Sequence, residues 1–309
     1  MIFSNVEEPF SGARRRVFYC LPFVHFLHSL LAVLFVFDQI KFHILIFLGY
    51  IFRLCNFVII FRVQAGLCRG IAMKPIAIIQ HVALDGPEYF LDYLNRSGIP
   101  SRIFRVYAGD ALPPDVRDYA GVASFGGPMS VHDVAEHSWI LPEIEFLHRA
   151  VAADVPVIGH CLGGQLLALA LGAEVSKAEI PEIGWIDLQP AAAAVTGEWF
   201  GDRQALRVFQ WHSDTFALPA GARLLASSAF CRNQAFLYGG KHLGMQFHCE
   251  VKAPMIRKWL QVGYQEIDGH DLPSVMSVDE IDASLDAGMP QSHAQADAIY
   301  RRWLQGVYG

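Results

Sequence analysis

From Met73 to the end of the chain, short apolar runs alternate with stretches of helical spacing, the pattern of a mainly parallel sheet covered on both faces. Candidate strands fall at residues 76–80, 101–106, 121–125, 155–159, 206–210 and 243–247. Between them, residues 87–97 and 138–152 have helical periodicity, with Ile140, Ile144, Leu147 and Val151 on one face. The expected architecture is α/β, with one doubly wound domain. Gln189-Pro190 followed by four alanines at 191–194 predicts an exposed loop, and residues 256–309 read as helices with turns at Pro273 and Pro290.

The pattern changes upstream of Met73. Residues 17–37 are 21 consecutive positions without a formal charge, enough for a helix that crosses a bilayer in about 20 residues. Residues 42–61 are as apolar except for His43, Arg53 and Asn56, and an arginine near mid-membrane is costly. Arg14, Arg15 and Arg16 precede the first run, while Arg62, Arg69 and Lys74 follow the second, so a helical hairpin anchor would keep both ends in the cytoplasm. A cleaved signal peptide fits poorly, because its apolar core spans about 7–15 residues and ends at a small-residue site. A second reading fits residue usage better: residues 1–72 hold only four Ala but 12 of the 22 Phe, whereas the remainder is dense in Ala, Gly and Asp. On that reading translation starts at Met73, where Met73-Lys74-Pro75 opens directly into the strand Ile76-Ala77-Ile78-Ile79. Neither reading places chemistry in this segment. The expected organisation is a hydrophobic extension over 1–72, the α/β domain over 73–265 and a helical tail over 266–309.

With 53% hydrophobic and 17% charged residues, the chain is not a disordered one. Residues 73–309 carry 17 Lys/Arg against 27 Asp/Glu, a net of −10 that argues against nucleic-acid binding. Six cysteines are thinly spread and none forms a CxxC pair, so the domain reads as reduced and cytoplasmic. A cysteine in a special setting is then a candidate nucleophile.

Cys161 is in such a setting. Residues 155–165, Val-Pro-Val-Ile-Gly-His-Cys-Leu-Gly-Gly-Gln, are a buried strand, a glycine-flanked cysteine and the start of a helix. This is the cysteine form of a nucleophile elbow. Glycines two positions either side leave room that Cβ atoms would fill, and the following helix directs its N-terminal amides at the sulfur, which favours the thiolate. A base is available in Gly244-Met245-Gln246-Phe247-His248-Cys249-Glu250. In extended backbone His248 and Glu250 project to the same side, so the carboxylate can fix the imidazole's tautomer. Taken singly, a histidine such as His248 is more often a satisfied core residue, and Glu250 reads as the cap of a helix near Lys252.

Together with Gly126-Gly127-Pro128, these two motifs resemble the class I (triad) glutamine amidotransferases, in particular stand-alone proteins similar to the glutaminase domain of GMP synthetase. The likeness spans nearly all of residues 73–265. It implies a flavodoxin-like three-layer fold and hydrolysis of the glutamine side-chain amide through a γ-glutamyl thioester, with no cofactor. It assigns Cys161 as nucleophile, His248 as general base and then acid, and Glu250 as orienting partner. The amides of Gly127 and Leu162 would form the oxyanion hole, and Gly126, Gln165, Ser213 and Asp214 would bind substrate. Pro181-Glu182-Ile183-Gly184-Trp185 would stand at a pocket wall, with Trp185 equally readable as core.

One departure stands out, Cys249 where the family usually has proline, which removes a preset turn before Glu250. It also permits His160-Cys161 and His248-Cys249 to be read as metal-ligand pairs, but neighbours in a strand point to opposite faces and no CxxC or HxxxH spacing supports a zinc site. No P-loop GxxxxGK[ST] occurs in 73–309, so a complete synthetase is excluded and an ATP-dependent partner would supply the ammonia acceptor. Weak activity without that partner is expected. The alternatives are a hydrolase of another γ-glutamyl amide and a ligand-binding protein without turnover. Because the strand at Ile76 needs no upstream neighbour, a chain beginning at Met73 is expected to be soluble and folded. Circular dichroism and gel filtration check this, and aggregation of that chain would instead mark 1–72 as required.

Overall fold

The computed structural model describes residues 73–191, 193–200, 206–268 and 271–309, so the apolar runs at 17–37 and 42–61 lie outside the described residues. Among the described residues no helix is long and apolar enough to cross a membrane.

Nine strands form one sheet in the order β2-β1-β3-β4-β9-β8-β7-β5-β6. The first five are β1 (Ile76–Gln80), β2 (Ser101–Arg105), β3 (Gly121–Ser124), β4 (Val157–His160) and β9 (His242–Met245), and all pair in parallel. The other four, β5 (Val175–Pro190), β6 (Leu206–Phe216), β7 (Arg223–Ser227) and β8 (Ala235–Tyr238), pair antiparallel, and β8 joins β9 as a hairpin. The sheet is therefore mixed rather than mainly parallel. The antiparallel half was hard to read: β5 holds Pro181 and Gly184, and its pairing with β6 shifts register between Lys177 and Glu182, a bulge that breaks the period of two.

Strand β1 shows how the layers form. Its five residues are all buried, with Ile76 and Ile78 facing one apolar cluster and Ala77 and Ile79 another. The first cluster joins the sheet to α1 (Glu88–Arg96) through Phe90 and Leu94 and to α6 (Val278–Tyr308) through Tyr300 and Trp303. The second joins it to α2 (Ile140–Ala152) and α3 (Leu162–Ala170) through Phe146, Leu147, Leu166 and Leu167. A strand buried on both faces must be apolar throughout, which is why β1 reads as a continuous run. Two further helices are α4 (Ala193–Phe200) and α5 (Ala253–Val262).

Three local expectations change. The expected loop after Gln189 is the end of β5, where Pro190 lies opposite Ala226, followed by α4, whose leading alanines are the strongest helix formers. Pro290 lies inside α6 and makes no turn. An interior proline costs about 3 kcal/mol, and burial of Met289, Ala296, Ile299, Tyr300 and Trp303 along the same helix offsets it. On α2 the buried face is Ile140, Glu143, Phe146, Leu147 and Ala150, while Ile144 and Val151 are half-buried, because the Glu143 carboxylate is drawn into the interior.

Helix α3 approaches the sheet closely enough to exclude side chains. A Cβ on Gly163 would stand 2.2 Å from the Ser124 carbonyl oxygen, and one on Gly159 would stand 2.4 Å from that of Gly163. Replacing Gly163 with Ala is therefore expected to destabilise the fold by about 3 kcal/mol, measured by urea unfolding. A loss under about 1 kcal/mol would mean that the helix can withdraw from β3 without cost.

Candidate active site

The carboxyl ends of β1, β3, β4 and β9 converge on one cavity of about 400 Å³, on whose surface Cys161, Gly127, Gln165, Ser213, Asp214 and His248 all appear. Cys161 links β4 to α3 with φ 48° and ψ −110°, left-handed backbone that a non-glycine residue adopts only when its surroundings impose it. Its amide donates to the Met245 carbonyl at 2.8 Å, which holds the turn against β9. Gln246 Nε2 lies 3.7 Å from Cys161 Sγ.

His248 donates from Nδ1 to Glu250 Oε1 at 2.7 Å, and both side chains are 3% exposed or less. Burial by itself would lower the histidine pKa; the charges of Glu250 and Cys161 outweigh it and raise the pKa well above the ordinary value. Gly126 packs against both the His248 and the Cys161 side chains, since a Cβ there would lie 2.8 Å from His248 Cε1 and 3.8 Å from Cys161 Cβ. The amides of Gly127 and Leu162 meet no backbone acceptor among the described residues.

The substitution of Cys249 for proline does not release Glu250. His160, the residue before Cys161, places Nδ1 3.1 Å from Glu250 Oε2, so the carboxylate lies between two imidazoles. Burial raises a carboxyl pKa, but His160 and His248 outweigh it and hold Glu250 well below the usual carboxylate range. Cys249 points behind the cavity toward the Tyr300 hydroxyl at 3.6 Å, and burial pushes its thiol pKa far up. Among the described residues, two buried groups bring metal-ligating atoms together: His160, Cys249 and Glu250, and Glu182, His212 and Cys231. In each the carboxylate is already engaged by imidazole, and Glu182 accepts additionally from Ser228 and Gln234.

On the opposite wall, the Asp214 carboxylate pairs with Lys177 Nζ at 2.7 Å and accepts from Ser130 Oγ at 2.7 Å. Gln165 Nε2 donates to the Asp214 carbonyl at 3.2 Å, and Lys177 Nζ lies 3.4 Å from Ser213 Oγ. Residues 181–185 do not line the cavity: Glu182 is turned to His212, and Trp185 packs on Phe209 in a separate apolar cluster.

A family model for class-I glutamine amidotransferases matches residues 88–259, more than half of the chain. This chain belongs to the class-I glutamine amidotransferase family. It is 31% identical over 215 residues to the glutamine amidotransferase-like protein YfeJ of Salmonella typhimurium, covering 67% of this chain and 89% of that one. With a subunit of the glutamine-hydrolyzing GMP synthase of Sulfolobus acidocaldarius it shares 32% identity over 149 residues, 46% of this chain and 76% of that one. A crystal structure of a glutamine amidotransferase from Methylobacillus flagellatus superposes with a TM-score of 0.73 at 39% identity, covering 76% of this chain and 96% of that one.

Several residues lining the cavity of this family member were not visible in the sequence. Asp85 accepts from Trp259 Nε1 at 2.7 Å, and burial raises its pKa. Trp259 stands edge-on to His248 at 5.0 Å, while Ser130 and Lys177 brace Asp214. Asp85-Gly86-Pro87 reads as turn chemistry and Trp259 as an apolar helix position, so only the fold reveals that they meet.

All three cysteines among the described residues are buried, but Cys161 alone lines the cavity, and burial raises the pKa values of Cys231 and Cys249. Brief iodoacetamide treatment of the native chain should therefore label Cys161 ahead of these two, read by peptide mass spectrometry. Equal labelling of Cys249 would show that its site is open to solvent.

Proposed function

We propose that the chain hydrolyses the side-chain amide of glutamine, giving glutamate and ammonia. The observation that carries this reading is the His248–Glu250 pair beside a cysteine held at positive φ on a shared cavity wall. Cys161 acts at the nucleophile elbow: its thiolate attacks the amide carbon and the carbonyl oxygen becomes an oxyanion facing the amides of Gly127 and Leu162. Such donors are typically worth about 3–4 kcal/mol each in the transition state. His248, having taken the thiol proton, gives it to the departing nitrogen, so ammonia leaves and a thioester forms. Water, deprotonated by the same imidazole, then attacks the thioester, and glutamate and thiol are restored. Glu250 keeps the ring in one tautomer and stabilises its cation.

The amino-acid head group lies against Gly126, Gln165, Ser213 and Asp214. There Lys177 and Asp214 offer one charge of each sign to a zwitterion. The similarity to part of a glutamine-hydrolysing GMP synthase supports an ATP-dependent synthetase in the cytoplasm as acceptor of the ammonia. A second reading, hydrolysis of another γ-glutamyl amide, is favoured by the continuation of the cavity along Trp211, Trp259 and Val262. It uses the same catalytic groups.

Ammonia release from glutamine and from a panel of γ-glutamyl amides tests both readings. Cys161→Ala should lower turnover by about 10⁴-fold or more while leaving the fold intact. Retention of a tenth of wild-type activity would remove Cys161 from the mechanism, and a wild-type chain inert on every amide would leave ligand binding without turnover.

A further inference from the structure

Next to the Gly126-Gly127 loop is a second buried imidazole–carboxylate pair. His81 follows β1, Glu143 lies on α2 and Ser124 ends β3, and all three are fully buried. The His81 ring lies with Nε2 2.8 Å from Glu143 Oε2 and Nδ1 3.2 Å from the carbonyl oxygen of Gly126. Ser124 Oγ donates to Glu143 Oε1 at 2.7 Å, and the Trp139 ring stacks on the imidazole at 4.7 Å. Each imidazole nitrogen and each carboxylate oxygen thus has a partner.

Burial favours the neutral ring, but Glu143, with the carbonyls of Gly126 and Phe125, outweighs it and raises the His81 pKa. That matters for geometry: neutral imidazole has one N–H and can serve one of the two acceptors, whereas the cation serves both.

We propose that His81, held by Glu143 and Ser124, is a positioning residue that aims the Gly127 amide into the oxyanion hole. The role presupposes the thioester chemistry proposed above. The Gly126 carbonyl and the Gly127 N–H belong to one planar trans peptide, in which the two bonds point opposite ways. Fixing the carbonyl on His81 therefore fixes the direction of the amide. Gly127 lines the cavity with Cys161, and its amide has no backbone acceptor among the described residues. Without the clamp, two consecutive glycines let this peptide rotate at little cost, and a flip would turn a carbonyl oxygen toward developing negative charge. The preceding carbonyl, that of Phe125, also accepts from the Gly163 amide at 3.0 Å, an anchor that does not depend on His81, whereas the Gly126 carbonyl has no backbone donor among the described residues. On this account the chain orders the donor itself, and a docked partner is not needed for it.

The test uses the full chain. His81→Asn retains a donor where Nδ1 stood, while His81→Gln retains one only where Nε2 stood. On glutamine, or on whichever γ-glutamyl amide is turned over, His81→Gln should lose about a hundredfold in kcat with KM within about threefold, the signature of a lost transition-state donor. His81→Asn should stay within about fivefold of wild type. Cys161 alkylation by iodoacetamide, which forms no oxyanion, should proceed at the wild-type rate in both. Equal kcat in the two variants, or a loss carried by KM, would overturn the clamp. If the wild-type chain releases no ammonia from any amide, the functional reading fails, and the clamp is read instead from the ¹⁵N resonance of the Gly127 amide. That resonance should move in His81→Gln and stay in His81→Asn; coincidence in all three chains overturns the clamp. In the wild-type chain, moreover, His81 Nδ1 must carry a proton, and a bare Nδ1 in the ring's ¹⁵N spectrum overturns it whether or not either variant folds.

Discussion

The carboxylate of Glu250 is the group around which the site is arranged. An ion in a protein interior costs several kcal/mol even after the surroundings relax, and Glu250 is 2% exposed. His248 meets one oxygen and His160 stands beside the other, so the carboxylate keeps its charge. That arrangement ties distant parts of the chain together. His160 ends β4, His248 and Glu250 follow β9, and Tyr300 on α6 brings its hydroxyl to 3.5 Å from His160 Nε2 and 3.6 Å from Cys249 Sγ. The long C-terminal helix thereby closes the back of the cavity it does not line.

The parallel half of the sheet explains why these groups meet. Ile79 lies opposite Ser124 and Ser124 opposite Gly159, so β1, β3 and β4 end at one level, and Met245 on β9 lies opposite His160. Ligand sites in open α/β sheets form outside such carboxyl ends. Each strand contributes its next residues: His81 after β1, Phe125 to Gly127 after β3, Cys161 after β4 and His248 after β9. The antiparallel half does something different. It carries Trp211 to Asp214 on β6 across to the facing wall, with the Trp211 carbonyl 3.9 Å from Cys161 Sγ.

What could be read from the sequence follows the range of each signal. Cys161 was legible because its strand, tight turn and helix are contiguous, and Glu250 because a two-residue offset in extended backbone fixes a common side. The parallel strands were legible as buried apolar runs. Strand β5 was not, because a proline, a glycine and a bulge disguise it, and Pro290 misled because local propensity gave way to burial along α6. His160 could be placed on the face away from the cavity, yet nothing local said that it meets Glu250. Glu143 was hidden inside a helical pattern whose apolar face was drawn one step off, and its partner His81 is 62 residues away. Long-range polar pairs leave no periodicity behind.

Four buried imidazoles among the described residues lean on carboxylates, and the use of each ring's second nitrogen separates their roles. In His81 it is bonded to the Gly126 carbonyl, in His212 to the Asp214 carbonyl, and in His160 it faces the Tyr300 hydroxyl. His81 and His212 are hydrogen-bonded at both ends and serve as cross-links, while His160 lies between the Glu250 carboxylate at 3.1 Å and the Tyr300 hydroxyl at 3.5 Å. His248 spends Nδ1 on Glu250, and among the described residues its other nitrogen has no protein oxygen as partner, while the Cys161 thiol stands beside the ring on the same cavity wall. A ring with one nitrogen anchored and the other turned toward a thiol can move a proton without breaking the contact that holds it in place. The same carboxylate pairing therefore holds His81, His160 and His212 as parts of the scaffold and leaves His248 with one nitrogen free to face the cavity, and what distinguishes them is a missing acceptor rather than an added residue.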